Sequence, residues 1–436
     1  MLARHRLRTI PVIALAAVGL TVLATAPAGA AAPGAAAPGD AALGGAAFYT
    51  PPAELPATNG DLVRHRPATV AYLGVPATTI MYKSTDANGE AVAVTGTVLQ
   101  ATAPWRGGGD RPLISYAVGT IGQGDQCAPS VLLGQGLEYE AITLPSLLAA
   151  GANVVVTDYL GLGTPDRVHS YLNPVEEAHA VLDAATAAQN LGREVPGLDV
   201  PADGPVGIYG YSQGGQAAGA AAELHSTYAP QVNLVGSAVG APPADVVPVA
   251  MGSDGTILSG ALGYAINSLA ANDPQLAAAF DARLNQRGKD FVQAVRTQCL
   301  GETILRFGFQ QSGQYTVDGQ PFTSFLFTEP FASALADLRV GRHTPDAPVY
   351  LWSGTNDDVV PIGQVRQLAA DWCAQPGTRV QLQEITLPAV FPGVGIGHAL
   401  PFVLGAPDAQ RWLYERFVAA ATGSTGPAPS TCAPQG

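Results

Sequence analysis

Val206-Gly207-Ile208-Tyr209-Gly210-Tyr211-Ser212-Gln213-Gly214-Gly215 runs directly into the alanine-rich segment Gln216 to Glu223. The apolar run reads as a strand, the Gly-x-Ser-x-Gly pattern as a tight turn and the alanine-rich segment as a helix. Together they form the context in which a serine is thrust out on a sharp strand-to-helix bend. Gly210 and Gly214 have a steric task there, because the flanking backbones approach so closely that any side chain would collide with them. With 51 glycines among 436 residues, the five-residue pattern alone is weak, and the rest of the chain must supply a base, an acid and an oxyanion site.

Working outward, Ala77 to Lys83 and Ala91 to Leu99 flank the turn chemistry of Asp86-Ala87-Asn88-Gly89 and read as a β-hairpin. Pro112 to Val118 is the next strand, leading into the glycine-rich loop Gly119-Thr120-Ile121-Gly122-Gln123-Gly124. A short helix over Ile142 to Ala150 ends at Gly151. Asn153 to Asp158 is the continuous apolar run of a strand buried on both faces. Pro174 to Asn190 shows helical spacing, and Val232 to Val239 follows the elbow as a further strand. Strand and helix alternate from Pro112 onward, the signature of an α/β fold with a mostly parallel sheet.

The alternation stops after Pro242-Pro243. Residues 246–340 hold helix-like runs (Leu258 to Leu269, Pro274 to Leu284, Lys289 to Gln298, Phe331 to Leu338) without buried strands. They also carry exposed-looking apolar side chains: Leu305, Phe307, Phe309, Phe322, Phe325, Leu326 and Phe327. One reading is a helical subdomain with its own core; the other is a cap or lid over an apolar site. Sheet order resumes at Ala347 to Gly354, with a helix over Pro361 to Cys373, a strand over Arg379 to Thr386 and a terminal helix over Ala406 to Ala421. The core is therefore expected over residues 48–245 and 341–425, split by the insertion 246–340.

The ends carry other signals. Arg4, His5, Arg6 and Arg8, an apolar stretch Ile10 to Ala24 and the small residues Ala28-Gly29-Ala30 read as a secretory signal peptide over residues 1–30. The apolar stretch is about 15 residues, short of the roughly 20 that cross a bilayer. Residues 31–47 form an Ala/Pro/Gly-rich leader, and 426–436 a proline-rich tail. No later run is long enough for a membrane span. Charged residues make up 13% and the formal net charge is −13, which disfavours nucleic acid as a partner because a phosphate backbone needs a basic footprint. Four cysteines in an exported chain imply two disulfides with three possible connectivities. Cys127–Cys299 with Cys373–Cys432 is preferred, the second pair stapling the tail to a late helix. No two cysteines stand at metal-ligand spacing, so neither metal nor cofactor is expected.

Three side chains fit nucleophilic catalysis at the carboxyl ends of parallel strands. Ser212 is the nucleophile candidate, a helix N-cap serine being the alternative. Asp357 follows the strand Val349 to Ser353 in Gly354-Thr355-Asn356-Asp357-Asp358-Val359-Val360-Pro361. Asp358 is its rival, and either could be a helix-capping carboxylate. His398, in Gly395-Ile396-Gly397-His398-Ala399, follows both serine and acid in a post-strand loop. His169 and His179 precede the serine and read as structural. The order Ser212, Asp357, His398 is the one α/β-hydrolases use. For the oxyanion, the backbone N–H of Gln213 is one expected donor. The other is expected from the loop after Val118, with Thr120 first and Gly119 or Ile121 as alternatives.

Four segments carry a resemblance: Gly119 to Ser130 with its Cys127-Ala128-Pro129-Ser130, Asp158-Tyr159-Leu160-Gly161-Leu162-Gly163-Thr164-Pro165, Gly210 to Gly215, and Gly354 to Pro361. Over roughly Phe48 to Ala421 the chain resembles the secretory lipases of bacteria and fungi, related to fungal lipase A. The resemblance implies an α/β-hydrolase with a helical cap, a Ser/Asp/His triad, no metal and hydrolysis of fatty-acid esters. It also favours Asp357 over Asp358, and a Cys127–Cys299 bond would then tie the oxyanion loop to the cap. Many relatives carry a histidine where this chain has Val118. The expected protein is a secreted, monomeric serine hydrolase acting on acyl-ester lipids, with a lipid–water interface as a possible setting. A short-chain esterase or acyltransferase on the same triad is the alternative, and a non-catalytic surface-binding protein a minor one.

Overall fold

Nine strands form one sheet in the order β1-β2-β3-β5-β4-β6-β7-β8-β9 in a computed structural model that describes residues 45–424 and 428–432. The expected signal peptide and most of the leader lie outside the described residues; Gly45–Tyr49 forms a 3-10 helix. The strands are β1 Leu62–Ala68, β2 Ala77–Thr85, β3 Ala91–Leu99, β4 Leu113–Ala117, β5 Asn153–Thr157, β6 Val206–Tyr211, β7 Leu234–Gly240, β8 Val349–Gly354 and β9 Val380–Ile385. Pairing is antiparallel from β1 to β3 and between β3 and β5, and parallel from β5 through β9. β4, β5, β6 and β8 are buried along their whole length. That is the burial their unbroken apolar runs require.

Chain order and spatial order reverse around β4, which lies between β5 and β6. Crossovers leaving in opposite directions open a crevice at the carboxyl ends of adjacent strands, where ligands of open α/β sheets bind. The loops after β4 and β6, residues 118–124 and Ser212, line that crevice.

Helices α1 Pro129–Gln135, α2 Leu144–Ala149, α3 Pro174–Glu194 and α4 Gln213–Tyr228 belong to the first half of the core. Between β7 and β8 come α5 Val246–Ser253, α6 Ala261–Asn272, α7 Pro274–Arg283, α8 Gln286–Val295, α9 Leu300–Phe307 and α10 Phe331–Asp337. The second half of the core adds α11 Ile362–Cys373 and α12 Ile396–Thr422. The inserted helices bury a cluster of their own around Tyr264, Phe280, Phe291 and Phe325. Phe307, Phe322, Phe325 and Leu326, which look exposed in the sequence, belong to that cluster. Leu305, Phe309 and Phe327 do remain exposed. The difference is amphipathic phase: in α9, Phe307 faces inward and Leu305 outward.

α12 departs from the sequence reading. It starts at Ile396 rather than Ala406, so His398 sits in the first helical turn and not in a loop. Pro401 and Pro407 lie inside α12, each removing one i→i−4 hydrogen bond. Burial of Pro401, Phe402 and Ala406, on a helix that packs on β7 and β8, offsets that loss. β1, with the polar sequence Leu-Val-Arg-His-Arg-Pro-Ala, is an edge strand without an apolar signature, and its Pro67 is tolerated for that reason. The tail is stapled as Cys373–Cys432, with Cα atoms 5.3 Å apart, and Thr431 N–H donates to Val380 C=O beside β9 at 2.7 Å.

Candidate active site

Ser212 occupies the bend between β6 and α4 with φ 58° and ψ −123°. A non-glycine residue in such a region costs about 1–3 kcal/mol and persists only where the surroundings enforce it. Here Ser212 N–H donates to Gly240 C=O at 2.9 Å and Gln216 N–H donates to Ser212 C=O at 3.0 Å, holding the bend from both sides. A Cβ at Gly210 would overlap the Gly214 carbonyl, and one at Gly214 the Ala117 carbonyl. The strained serine is therefore built in by close backbone packing, and it opens α4 at its positive end.

His398 and Asp357 meet directly. His398 Nδ1 donates to Asp357 Oδ2 at 2.7 Å, and the Asp357 side chain is fully buried. Its other oxygen accepts Val359 N–H at 2.9 Å and Val360 N–H at 2.8 Å, so three donors fix the carboxylate and with it the ring. With Nδ1 bonded to a carboxylate, the neutral ring carries its lone pair on Nε2. That atom is buried and has no hydrogen-bond partner among the described residues. Tyr211, next to Ser212, packs on the His398 ring at 5.0 Å between centroids, and its hydroxyl donates to His398 C=O at 2.7 Å. The residue before the serine thus registers the imidazole.

Asp358, the rival acid, does not reach the ring. Its carboxylate accepts backbone N–H groups of Gly393, Gly395 and His398.

On the opposite side, the loop after β4 is braced by buried groups. Gly119 N–H donates to Glu140 Oε1 at 3.0 Å, so that donor is already committed. Tyr116 also donates to Glu140, whose carboxyl burial pushes well above its ordinary range. Thr120 Oγ1 bonds Tyr171 Oη at 3.0 Å, and Tyr139 donates to Thr120 C=O at 3.2 Å. Thr120 N–H makes no hydrogen bond among the described residues, which leaves it available to a ligand. The side chain of Gln213 is pinned behind the elbow: its amide donates to Glu177 Oε1 at 2.8 Å and lies 3.1 Å from His169 Nε2. His169 Nδ1 donates to Leu160 C=O, and burial lowers its pKa to about 4. It is therefore neutral and accepts the Gln213 amide proton. Glu140, Glu177 and the link from His169 to Gln213 carry no sequence signature.

The same loop is joined to the inserted helices. Cys127 is bonded to Cys299, Cα to Cα 5.4 Å. Gly122 and Cys299 form an antiparallel bridge, with Gln123 N–H to Gln298 C=O at 3.0 Å and Leu300 N–H to Ile121 C=O at 2.8 Å. Under the inserted helices lies an apolar slot of about 60 Å³, lined by Tyr171, Leu172, Val246, Leu262, Leu269 and Leu338 among others. Through Tyr171 it borders Thr120.

A doubly wound sheet with a strained serine after a central strand and a buried His–Asp pair on later elements defines an α/β-hydrolase. Among solved structures the fold is similar to Candida antarctica lipase A in its closed state (TM-score 0.74, 22% identity, 89% of this chain and 88% of that one). It is also similar to the rice cell wall degrading esterase LipA from Xanthomonas oryzae (TM-score 0.68, 21% identity, 81% and 98%). The chain is 28% identical over 318 residues to the secreted triacylglycerol lipase LIP5 of Malassezia furfur, covering 70% of this chain and 78% of that one. It is also 28% identical over 383 residues to a Mycobacterium tuberculosis protein named "Probable inactive lipase MT1628", covering 85% and 81%. The secretory lipase family matches residues 128–425, and the chain belongs to that family. It is a secreted carboxylic ester hydrolase acting on lipid esters. No helix among the described residues is long and apolar enough to cross a membrane.

Proposed function

We propose that Ser212, Asp357 and His398 form the triad of a triacylglycerol-lipase-type hydrolase that works through an acyl-enzyme. In the proposed cycle Ser212 Oγ attacks the ester carbonyl while His398 Nε2 takes its proton, and Asp357 stabilises the resulting imidazolium. The tetrahedral oxyanion is received by the backbone N–H groups of Gln213 and Thr120. Collapse breaks the C–O bond to the alcohol, which leaves with the proton from His398. Water then repeats the sequence on the acyl-serine, releasing the fatty acid and restoring the serine. The observation that carries this reading is the His398 ring, held through Nδ1 by a buried carboxylate with Nε2 buried and unpartnered beside the elbow.

Lipid rather than soluble substrates are supported by the apolar residues flanking the machinery. Leu137 and Ile142 bracket Glu140, Phe391 precedes His398, and Val403 and Leu404 follow it; all five are exposed. Gln410 of α12 bonds Ser146 and Thr143, which brings the segment after Ile142 alongside α12. Exposed apolar side chains on these segments suit a lipid–water interface. If this slot takes the acyl chain, the inserted helices must move as a cap to widen it, because its volume of about 60 Å³ is well below the roughly 300–1,000 Å³ of ligand pockets. That observation also favours the second reading, a short-chain esterase or acyltransferase, should the cap stay shut.

A chain-length series of p-nitrophenyl esters together with a long-chain triacylglycerol emulsion separates these. Lipase function predicts higher activity on the emulsion than on soluble butyrate; the reverse order selects the esterase. No turnover of either by the folded protein supports a non-catalytic role.

A further inference from the structure

His398 stands at the start of α12, whose N-cap is Gly395, a residue without a side chain to satisfy the exposed N–H groups of the first turn. Helices normally meet this need with a side-chain oxygen at the N-cap. Here the oxygen comes from a distant loop. Asp358 Oδ2 accepts Gly393 N–H and Gly395 N–H, each at 2.9 Å, and Asp358 Oδ1 accepts His398 N–H at 3.2 Å. The backbone is shaped around this carboxylate: Gly393 and Gly395 adopt φ of 83° and 77°, which favour glycine. A Cβ on Gly397 would crowd Asp358 Oδ1 and the Asn356 carbonyl.

The segment caught by Asp358 is also the one the insertion touches. Ile257 N–H donates to Gly393 C=O at 2.9 Å, and Phe309 N–H to Thr256 C=O at 2.7 Å. Gly393 therefore gives its N–H to Asp358 and its C=O to the insertion. Neighbouring carboxylates divide the work: Asp357 holds the imidazole ring and Asp358 holds the backbone that carries it.

We propose that Asp358 is a positioning residue that seats His398 and couples it to the cap. When Ile257 is docked on Gly393, the loop closes on the Asp358 carboxylate and His398 is in register with Asp357; when the cap lifts at this edge, the loop loosens on that carboxylate and the register is lost. The proposal rests on the triad reading. Cap position would then affect the reactivity of Ser212 as well as access to it.

The test is the rate at which a fluorophosphonate probe labels Ser212 in the full mature chain, measured with kcat and KM for a soluble short-chain ester. Asp358→Asn keeps the shape but presents an amide to three N–H donors. It should lower labelling and kcat about 10- to 100-fold, the scale of a misplaced catalytic group. KM should stay within a few-fold, and the downfield proton resonance of the His398–Asp357 hydrogen bond should weaken. If that variant does not fold, Asp358→Ser, which retains one acceptor, replaces it. Ile257→Pro removes the cap-side donor; it should slow wild-type labelling but add little on the Asp358→Asn background. Wild-type labelling rates in a folded Asp358 variant, or a loss that leaves the downfield resonance intact and is additive with Ile257→Pro, would overturn the proposal. If the wild-type protein is not labelled at Ser212, the triad reading fails first; if it is labelled and Asp358→Asn is labelled equally fast, only the positioning role fails.

Discussion

The inserted helices meet the site at two edges, and the two are fastened differently. At the oxyanion side a disulfide, a two-bond β-bridge and the bonds Asn267 to Gln123 and Gln126 to Thr297 join them to residues 121–127. At the histidine side Ile257 donates to Gly393, and among the described residues neither disulfide lies at this edge. A covalently tied edge cannot separate, while a hydrogen-bonded one opens at a net cost of about 1 kcal/mol per bond. On the proposed reading of the insertion as a cap, it would swing from the Cys127–Cys299 edge and open beside His398. In the proposed cycle that would keep the oxyanion donors fixed and expose the base to cap movement.

Four expected outcomes sharpen or break that contrast. The largest is at the histidine edge: Asp357→Asn should lower kcat about 10⁴-fold, because an amide no longer selects the tautomer that leaves Nε2 free. A much larger loss for Asp358→Asn than for Asp357→Asn, read from single-turnover acylation, would exchange their roles. At the fixed edge, Thr120→Pro deletes the available N–H and should cost about 100- to 1000-fold in kcat with little change in KM; near-normal turnover would move the second donor to Ile121.

Next comes the fastening itself. Removing both Cys127 and Cys299 by substitution with alanine should cost about 2–5 kcal/mol of stability, seen in denaturant unfolding. It should also lower kcat on short esters, since the loop bearing Thr120 is released. If stability falls while kcat is unchanged, the disulfide does not position the oxyanion loop. The smallest effect is pH-dependent. His169 has a pKa of about 4 in the fold against about 6.5 unfolded, so the unfolded chain binds the extra proton first. Stability from this group is complete above pH 6.5 and is lost as pH falls toward 4, by about 3 kcal/mol in all. His169→Gln should flatten that part of the stability–pH curve, and an unchanged slope would show that the ring is not held neutral against Gln213.

The elbow could be read from sequence because everything that makes it is local: a buried strand is an unbroken apolar run, and Gly210 and Gly214 are required by adjacent backbone. β4, β5, β6 and β8 were legible for the same reason, and the mostly parallel order followed from the alternation of strands with helices. His398 could be identified by its place in the chain but not by its setting, because Pro401 and Pro407 look like breakers and only burial against β7 and β8 sustains a helix through them. β1 was missed because an edge strand needs no apolar pattern. Glu140, Glu177 and Asp358 were opaque for a different reason. Each acts on a backbone or amide group brought near by folding, across 21 residues from Glu140 to Gly119, 36 from Glu177 to Gln213 and 40 from Asp358 to His398. The choice between neighbouring acids illustrates the limit: Asp357 and Asp358 differ by one position, residue type and spacing leave both open, the family resemblance favours Asp357, and the placement of Gly393 to His398 shows which carboxylate holds the ring and which the helix start.

Ser212 as the nucleophile is tested by mapping the covalent adduct of a fluorophosphonate ester by peptide mass spectrometry on the mature protein and on Ser212→Ala, with circular dichroism confirming that both are folded. A single adduct on the peptide containing Ser212, and none in the variant, is the expected result. Persistent labelling of Ser212→Ala, or an adduct on another serine of the wild-type chain, would contradict it.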